Sequence, residues 1–106
     1  MRAGRHLGDI ELLVLSALVR LGPDAYGVSL SREIERQGKR LLALGSVYAA
    51  LERLESKGLV ESALGEATPE RGGRAKRHFR ITTVGLRELR AARQALIRMW
   101  QRVFAF

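Results

Sequence analysis

The sequence contains no cysteine. Disulfides, thiolate metal sites and cysteine nucleophiles are therefore excluded. Apolar runs such as Leu12-Leu13-Val14-Leu15 fall far short of the roughly 20 residues that a membrane helix needs. After Met1-Arg2-Ala3-Gly4-Arg5-His6, Asp9 and Glu11 stand where the apolar stretch of a signal peptide should begin. A cytoplasmic protein without membrane contact is expected. Histidine is scarce: His6 in the N-terminal tail and His78 beside Arg77 read as solvated surface residues. There is no Walker-type loop, no dinucleotide glycine pattern and no His-Glu-x-x-His, and the carboxylates form no converging pair. No enzyme, cofactor or metal is expected. Only six aromatic residues occur, with no two on one expected strand, so a stacking platform for single-stranded nucleic acid is also missing.

What the chain has in excess is positive charge. Its 106 residues carry a formal net charge of +8, and the sequence pI is about 11.2. Such an imbalance says nothing of fold but favours a polyanionic partner. The hydrophobic fraction of 46% suffices for one self-standing core.

Hydrophobic spacing divides the chain into three helices, a hairpin and a last helix. Leu7, Ile10, Leu13, Val14, Ala17, Leu18 and Leu21 recur at three and four, and Gly22-Pro23-Asp24 ends that helix. Leu12, Leu15 and Val19 widen its stripe. A second helix is expected from about Tyr26 to Gln37, with Val28, Leu30 and Ile34 inward, Glu33 among the outward residues, and Gly38 just beyond its end. Leu41, Leu42 and Leu44 are expected to pack down onto the core. Ser46 reads as the N-cap of a third helix whose core face is Val47, Ala50, Leu51 and Leu54, with Gly58 as its left-handed stop. Leu59 to Leu64 and His78 to Thr82 then read as paired strands, joined by a long tip that contains Pro69 and Gly72-Gly73.

Three short helices and a hairpin give the order of a winged helix-turn-helix, mainly α with a small β-hairpin wing. In that arrangement the third helix enters the major groove of double-stranded DNA. Its outward residues are Ser46, Tyr48, Ala49, Glu52, Arg53 and Lys57. Ser46 and Tyr48 suit hydrogen bonds to phosphate or base edges, Ala49 suits a thymine methyl, and Arg53 suits phosphate or guanine. Taken alone, this helix is equally an ordinary amphipathic helix with a solvated face. The hairpin favours DNA, because residues 71–80 hold five basic residues, two glycines and no acid. Arg71, Arg74 and Lys76 are the expected wing contacts to phosphate. A basic RNA-binding or protein-interaction module on the same fold is the competing reading.

These segments carry a resemblance. Leu7-Gly8-Asp9-Ile10-Glu11, Asp24-Ala25-Tyr26-Gly27, Gly45 to Glu55, Lys57-Gly58-Leu59-Val60, Arg71 to Arg77 and Ile81-Thr82-Thr83-Val84-Gly85, in this order and spacing, resemble the PadR family of bacterial transcriptional regulators, in its small subgroup with one C-terminal helix. The resemblance implies a dimeric winged-helix repressor. It places the family's recognition-helix tyrosine at Tyr48 and its basic wing at Arg71 to Lys76. Ser46 and Ala49 stand where family members often have Thr or Pro.

The last helix bears a heptad seam of Gly85, Leu89, Ala92, Leu96, Met99 and Val103, flanked by Leu86, Ile97 and Trp100. So wide a stripe on so small a domain calls for a second subunit. The division expected is thus a DNA-binding region over 1–82 and a C-terminal dimerisation helix over 83–106. Leu89, Ala92, Leu96, Met99 and Val103 are the expected homodimer contacts. Two recognition helices would then meet a near-palindromic operator about 34 Å apart. The resemblance further implies a small apolar or planar effector, for which Leu96, Met99 and Trp100 form the candidate pocket; the competing reading, and the commoner one for an apolar stripe with one Trp, is closed dimer core.

Overall fold

A computed structural model describes residues 7–38, 41–67 and 75–103. The elements are α1 (Asp9–Leu21), a 3-10 turn (Gly22–Asp24), α2 (Gly27–Gly38), α3 (Leu44–Ser56), β1 (Val60–Ala67), β2 (Ala75–Ile81) and α4 (Thr83–Val103). This is a winged helix-turn-helix with a long C-terminal helix.

Local chemistry sets most boundaries. The Gly8 amide donates to Glu11 Oε1 at 2.8 Å and the Ile10 amide to Asp9 Oδ1 at 2.8 Å, so the two acids of the first turn cap α1. At its other end Gly22 turns to positive φ and Pro23 opens the 3-10 turn. Ser29 Oγ then donates to the Asp24 carbonyl at 2.7 Å and accepts the Tyr26 amide at 3.0 Å, which starts α2. Helix α3 begins earlier than the sequence suggests. Ala43 is its extended N-cap residue, and the Ala43 carbonyl takes the amides of Ser46 (2.9 Å) and Val47 (3.3 Å). Ser46 is therefore a helical residue of the first turn and not the N-cap. Its stop is as expected: Gly58 has φ 77°, its amide donates to the Glu55 carbonyl and the Leu59 amide to the Leu54 carbonyl. That pair of bonds is a Schellman closure.

The hairpin pairs Val60 with Ile81 through Leu64 with Arg77, then shifts register by one residue before Ala67 meets Ala75. Both strands run further toward the tip than the alternation indicates. The other edge of β2 is covered too, since the Phe79 amide donates to the Ala25 carbonyl at 2.9 Å and Tyr26 bridges to His78. His78 is consequently half-buried, its ring edge-on to Tyr26 and its Nδ1 3.2 Å from the Pro23 carbonyl oxygen, and not the solvated residue expected.

The core joins Val14, Leu15, Ala17 and Leu18 of α1, Leu30 and Ile34 of α2, Val47, Ala50, Leu51 and Leu54 of α3, and Leu59, Val60 and Phe79 of the hairpin region. Of the connector leucines only Leu42 packs against it; Leu41 is 80% and Leu44 40% exposed. Two acids lie inside rather than outside. Glu33 is 5% exposed because Arg20 (Nε–Oε2 2.7 Å) and Arg36 both reach its carboxylate. Glu11 is 4% exposed and is held by Lys57 and Arg53. In both cases cations from neighbouring turns or helices satisfy the buried charge.

Helix α4 leaves the core after its first turns. Thr82 Oγ1 accepts the Gly85 amide at 3.0 Å, an N-cap, and donates to the Gly58 carbonyl at 2.8 Å. Gly85 is buried, and Val84 and Leu89 pack against the core. Farther along, Leu96, Ile97, Met99 and Trp100 are 51%, 38%, 72% and 58% exposed.

Candidate nucleic-acid interface

The buried face of α3 fixes which residues remain outside. Val47, Ala50, Leu51 and Leu54 are in the core, so Ser46, Tyr48, Ala49, Glu52 and Arg53 all face solvent. Ser46, Ala49 and Arg53 lie at i, i+3 and i+7, on one line along the helix. This line rises about 10 Å from first to last, at 1.5 Å per residue.

Tyr48 is set apart from that line by its packing. It is 41% exposed, edge-on to Phe79 with ring centroids 6.5 Å apart. Its ring crosses the start of α2 at Gly27, where a β-carbon would stand 2.3 Å from the phenol. Gly27 is thus the residue that admits Tyr48, a requirement that the sequence alone did not reveal.

The wing stands beside α3. Tyr26, Val28, Tyr48, Leu64, Lys76 and Phe79 line part of a cleft of about 590 Å³ between the two. Lys76 Nζ lies 4.1 Å from the centre of the Tyr26 ring, a cation–π contact that steadies the ammonium group at the mouth of this cleft. Arg77 and Arg80 are exposed along β2, as expected. Arg77 donates to Ser62 Oγ at 3.0 Å, and Ser62 Oγ donates to Glu55 Oε2 at 2.8 Å, a chain that ties the wing to the C-terminal half of α3. Glu61 pairs with Arg80. Glu55 and Glu61 are therefore engaged, one by a hydroxyl and the other by a cation. Arg71 and Arg74, the other expected wing contacts, lie outside the described residues.

Two expected cations are already occupied. Lys57 Nζ donates to both Glu11 oxygens, at 3.0 and 2.9 Å, and its side chain is only 19% exposed. Arg53 Nε is 3.4 Å from Glu11 Oε2, but its side chain stays 53% exposed. Burial pushes the Glu11 carboxyl up, yet the Gly8 amide together with Lys57 and Arg53 outweighs it and holds the group below its ordinary value. Glu33 is likewise lowered, first by the bond from Arg20, against burial. A lowered folded-state pKa means that the unfolded chain binds more protons just below the ordinary glutamate range. Stability is then full above that range and is lost as pH falls through the lowered values. Glu11→Gln should flatten this acid limb of a denaturation-versus-pH curve; a limb as steep as that of the parent protein would show that Glu11 does not supply it.

The expected homodimer and effector residues meet at a different place. Leu12, Ser16, Val19 and Arg20 of α1 and Leu89, Ala92, Arg93, Leu96, Ile97, Trp100 and Gln101 of α4 enclose a groove of about 770 Å³. Leu89, Ala92, Leu96 and Trp100 are on this groove. Met99 is not among its lining residues, Gly85 points into the protein's own core, and the side chain of Val103 lies outside the described set. Among the described residues no helix is long and apolar enough to cross a membrane.

A three-helix core, a recognition-type helix with a solvent face and a basic hairpin beside it define a winged helix DNA-binding protein. The model of the Transcriptional regulator PadR-like family matches residues 14–91, and the chain belongs to that family. Its fold is similar to a PadR family transcription regulator from Clostridium difficile R20291, 29% identical with a TM-score of 0.73, covering 93% of this chain and 100% of that one. A PadR family regulator from Eggerthella lenta DSM 2243 is 30% identical, with a TM-score of 0.73 over 89% of this chain and 77% of that one. An uncharacterised protein of Lysinibacillus sphaericus is 29% identical over 98 residues, 91% of this chain and 82% of that protein. The chain is accordingly a transcriptional regulator and not an enzyme.

Proposed function

We propose that this regulator binds a near-palindromic duplex in the cytoplasm as a two-fold dimer and represses transcription there. The observation that carries the reading is the line of Ser46, Ala49 and Arg53, held solvent-facing by a fully buried opposite face, with Tyr48 and Lys76 braced beside it. In the dimer, α4 of each subunit covers the α1/α4 groove of the other. The candidate effector, a small apolar or planar compound, would bind along the same seam, against Leu96 and Trp100.

Roles divide between the two elements. Wing cations meet phosphates, which carry no sequence information, whereas the first turns of α3 meet base edges. Selection from random duplexes, followed by footprinting, should yield a two-half-site sequence bound roughly a thousandfold more tightly than random duplex or RNA. Binding no duplex in preference to RNA would favour an RNA-binding or interaction module instead. Arg74→Ala should weaken binding to all duplexes alike and reduce the salt slope by about one. Substitutions at Ser46 or Ala49 should change which sequence is selected. A changed site preference in Arg74→Ala, at constant salt slope, would reverse the assignment.

A further inference from the structure

We infer that Glu11, on α1, is a positioning residue for DNA binding: it holds the Nε edge of Arg53 and so sets the direction in which that guanidinium leaves the recognition helix. This rests on reading α3 as the recognition helix. The carboxylate is an anchor rather than a follower. Glu11 Oε1 accepts the Gly8 amide at 2.8 Å and Lys57 Nζ at 3.0 Å, and Oε2 accepts Lys57 Nζ at 2.9 Å. These bonds fix it without any help from Arg53, and the residue is 4% exposed. Arg53 then approaches the fixed Oε2 from the outside, Nε to oxygen 3.4 Å. At that length the contact orients the side chain more than it binds it.

The geometry leaves the distal, two-amino end of the Arg53 fork for a DNA partner. The side chain is 53% exposed, and Arg53 lies on the same helix line as Ser46 and Ala49, about two turns beyond the first and one beyond the second. An arginine free to sample its rotamers loses that freedom on binding, whereas one already aimed loses less. Charge alone argues the opposite way. Deleting a carboxylate close to two cations raises the positive potential of the surface, and a polyanion should then bind more tightly. The sign of the effect therefore separates positioning from bulk electrostatics.

The test uses Glu11→Gln, Arg53→Lys and the double variant, each measured against the selected duplex and a random duplex of equal length at one salt concentration. Circular dichroism checks that each is folded. Glutamine keeps an acceptor for the Gly8 amide but not the charge. Glu11→Gln should bind the selected duplex about three- to tenfold more weakly, while random duplex binds equally or better. Arg53→Lys keeps the charge but lacks Nε, and should lose specificity to a similar degree. The double variant should be no worse than either single one. Selected-duplex affinity of Glu11→Gln at or above the parent value would overturn the proposal, as would additive losses in the double variant. If Glu11→Gln does not fold, Arg53→Lys decides alone, and an unchanged ratio of selected to random affinity overturns it. Failure to select any preferred duplex removes the recognition-helix reading and this role together. A preferred duplex that binds regardless of these variants removes only the role of Glu11.

Discussion

Replacing Leu96 and Trp100 together by aspartate is expected to yield a folded monomer that binds the selected duplex about 100- to 10,000-fold more weakly than the parent protein. The argument begins with what holds the subunit together. Leu96 and Trp100 are 51% and 58% exposed and belong to no part of the core, so the charges cost the monomer little. In a dimer the same positions would be taken out of water. Two unpaired carboxylates per subunit would then be buried in an apolar groove that Leu12, Val19, Leu89 and Ala92 help to line. Loss of the dimer separates two half-site contacts that the linkage had made intramolecular, and avidity of that kind is worth two to four powers of ten. Removal of α4 from Arg87 onward is a poorer test. It would also strip Leu89, which packs against the protein's own core, and confuse unfolding with dissociation. Sedimentation equilibrium and fluorescence anisotropy are the measurements. A double variant that remains dimeric, or a monomer that keeps full affinity, would refute the two-fold mode of binding.

How far the sequence could be read depended on whether a residue's neighbours were near in the chain. The Gly58 stop, the Pro23 break and the alternation of β2 are local signals, and each element stands within a few residues of its expected place. Ser46 failed as an N-cap because backbone competition is also local but invisible in residue type. The Ala43 carbonyl captured the first-turn amides, and a helix can begin without a side-chain cap. Glu33 and Glu11 were misread or passed over for a different reason. A charged residue on a helix suggests solvent, unless a partner arrives from elsewhere, and the partners here include Arg20, 13 residues away, and Lys57, 46 residues away. Leu41 and Leu44 erred in the opposite sense, since apolar type does not ensure burial beside a helix end. The solvent-facing line of α3 was legible because it is the complement of a clear core face. The tether on Arg53 and the space that Gly27 leaves for Tyr48 were not, since both depend on the angle at which helices cross.

Gly85→Ala should be among the most damaging single substitutions outside the hydrophobic core, lowering stability by roughly 2–3 kcal/mol. Two effects oppose each other. Alanine favours a helix interior over glycine by about 1 kcal/mol, and Gly85 sits in the first turn of α4. Against this, a β-carbon there would stand 2.1 Å from the Leu59 carbonyl oxygen and 2.8 Å from Ile81 Cγ1. The nearer atom is backbone. It already accepts the Thr82 amide at 3.0 Å and belongs to a residue with no solvent exposure, directly after the closure at Gly58. Neither side can yield without moving α4 or breaking that closure, so overlap outweighs propensity. For a domain of this size such a loss lowers Tm by about 10 °C or more. Gly38→Ala supplies the control: also helical, with nothing within 4 Å of its β-carbon, it should leave Tm unchanged or raise it slightly. A Gly85→Ala protein that melts with or above the parent would show that α4 is docked more loosely than this contact implies. The seam expected to hold Gly85 against a second subunit would then regain its claim on that residue.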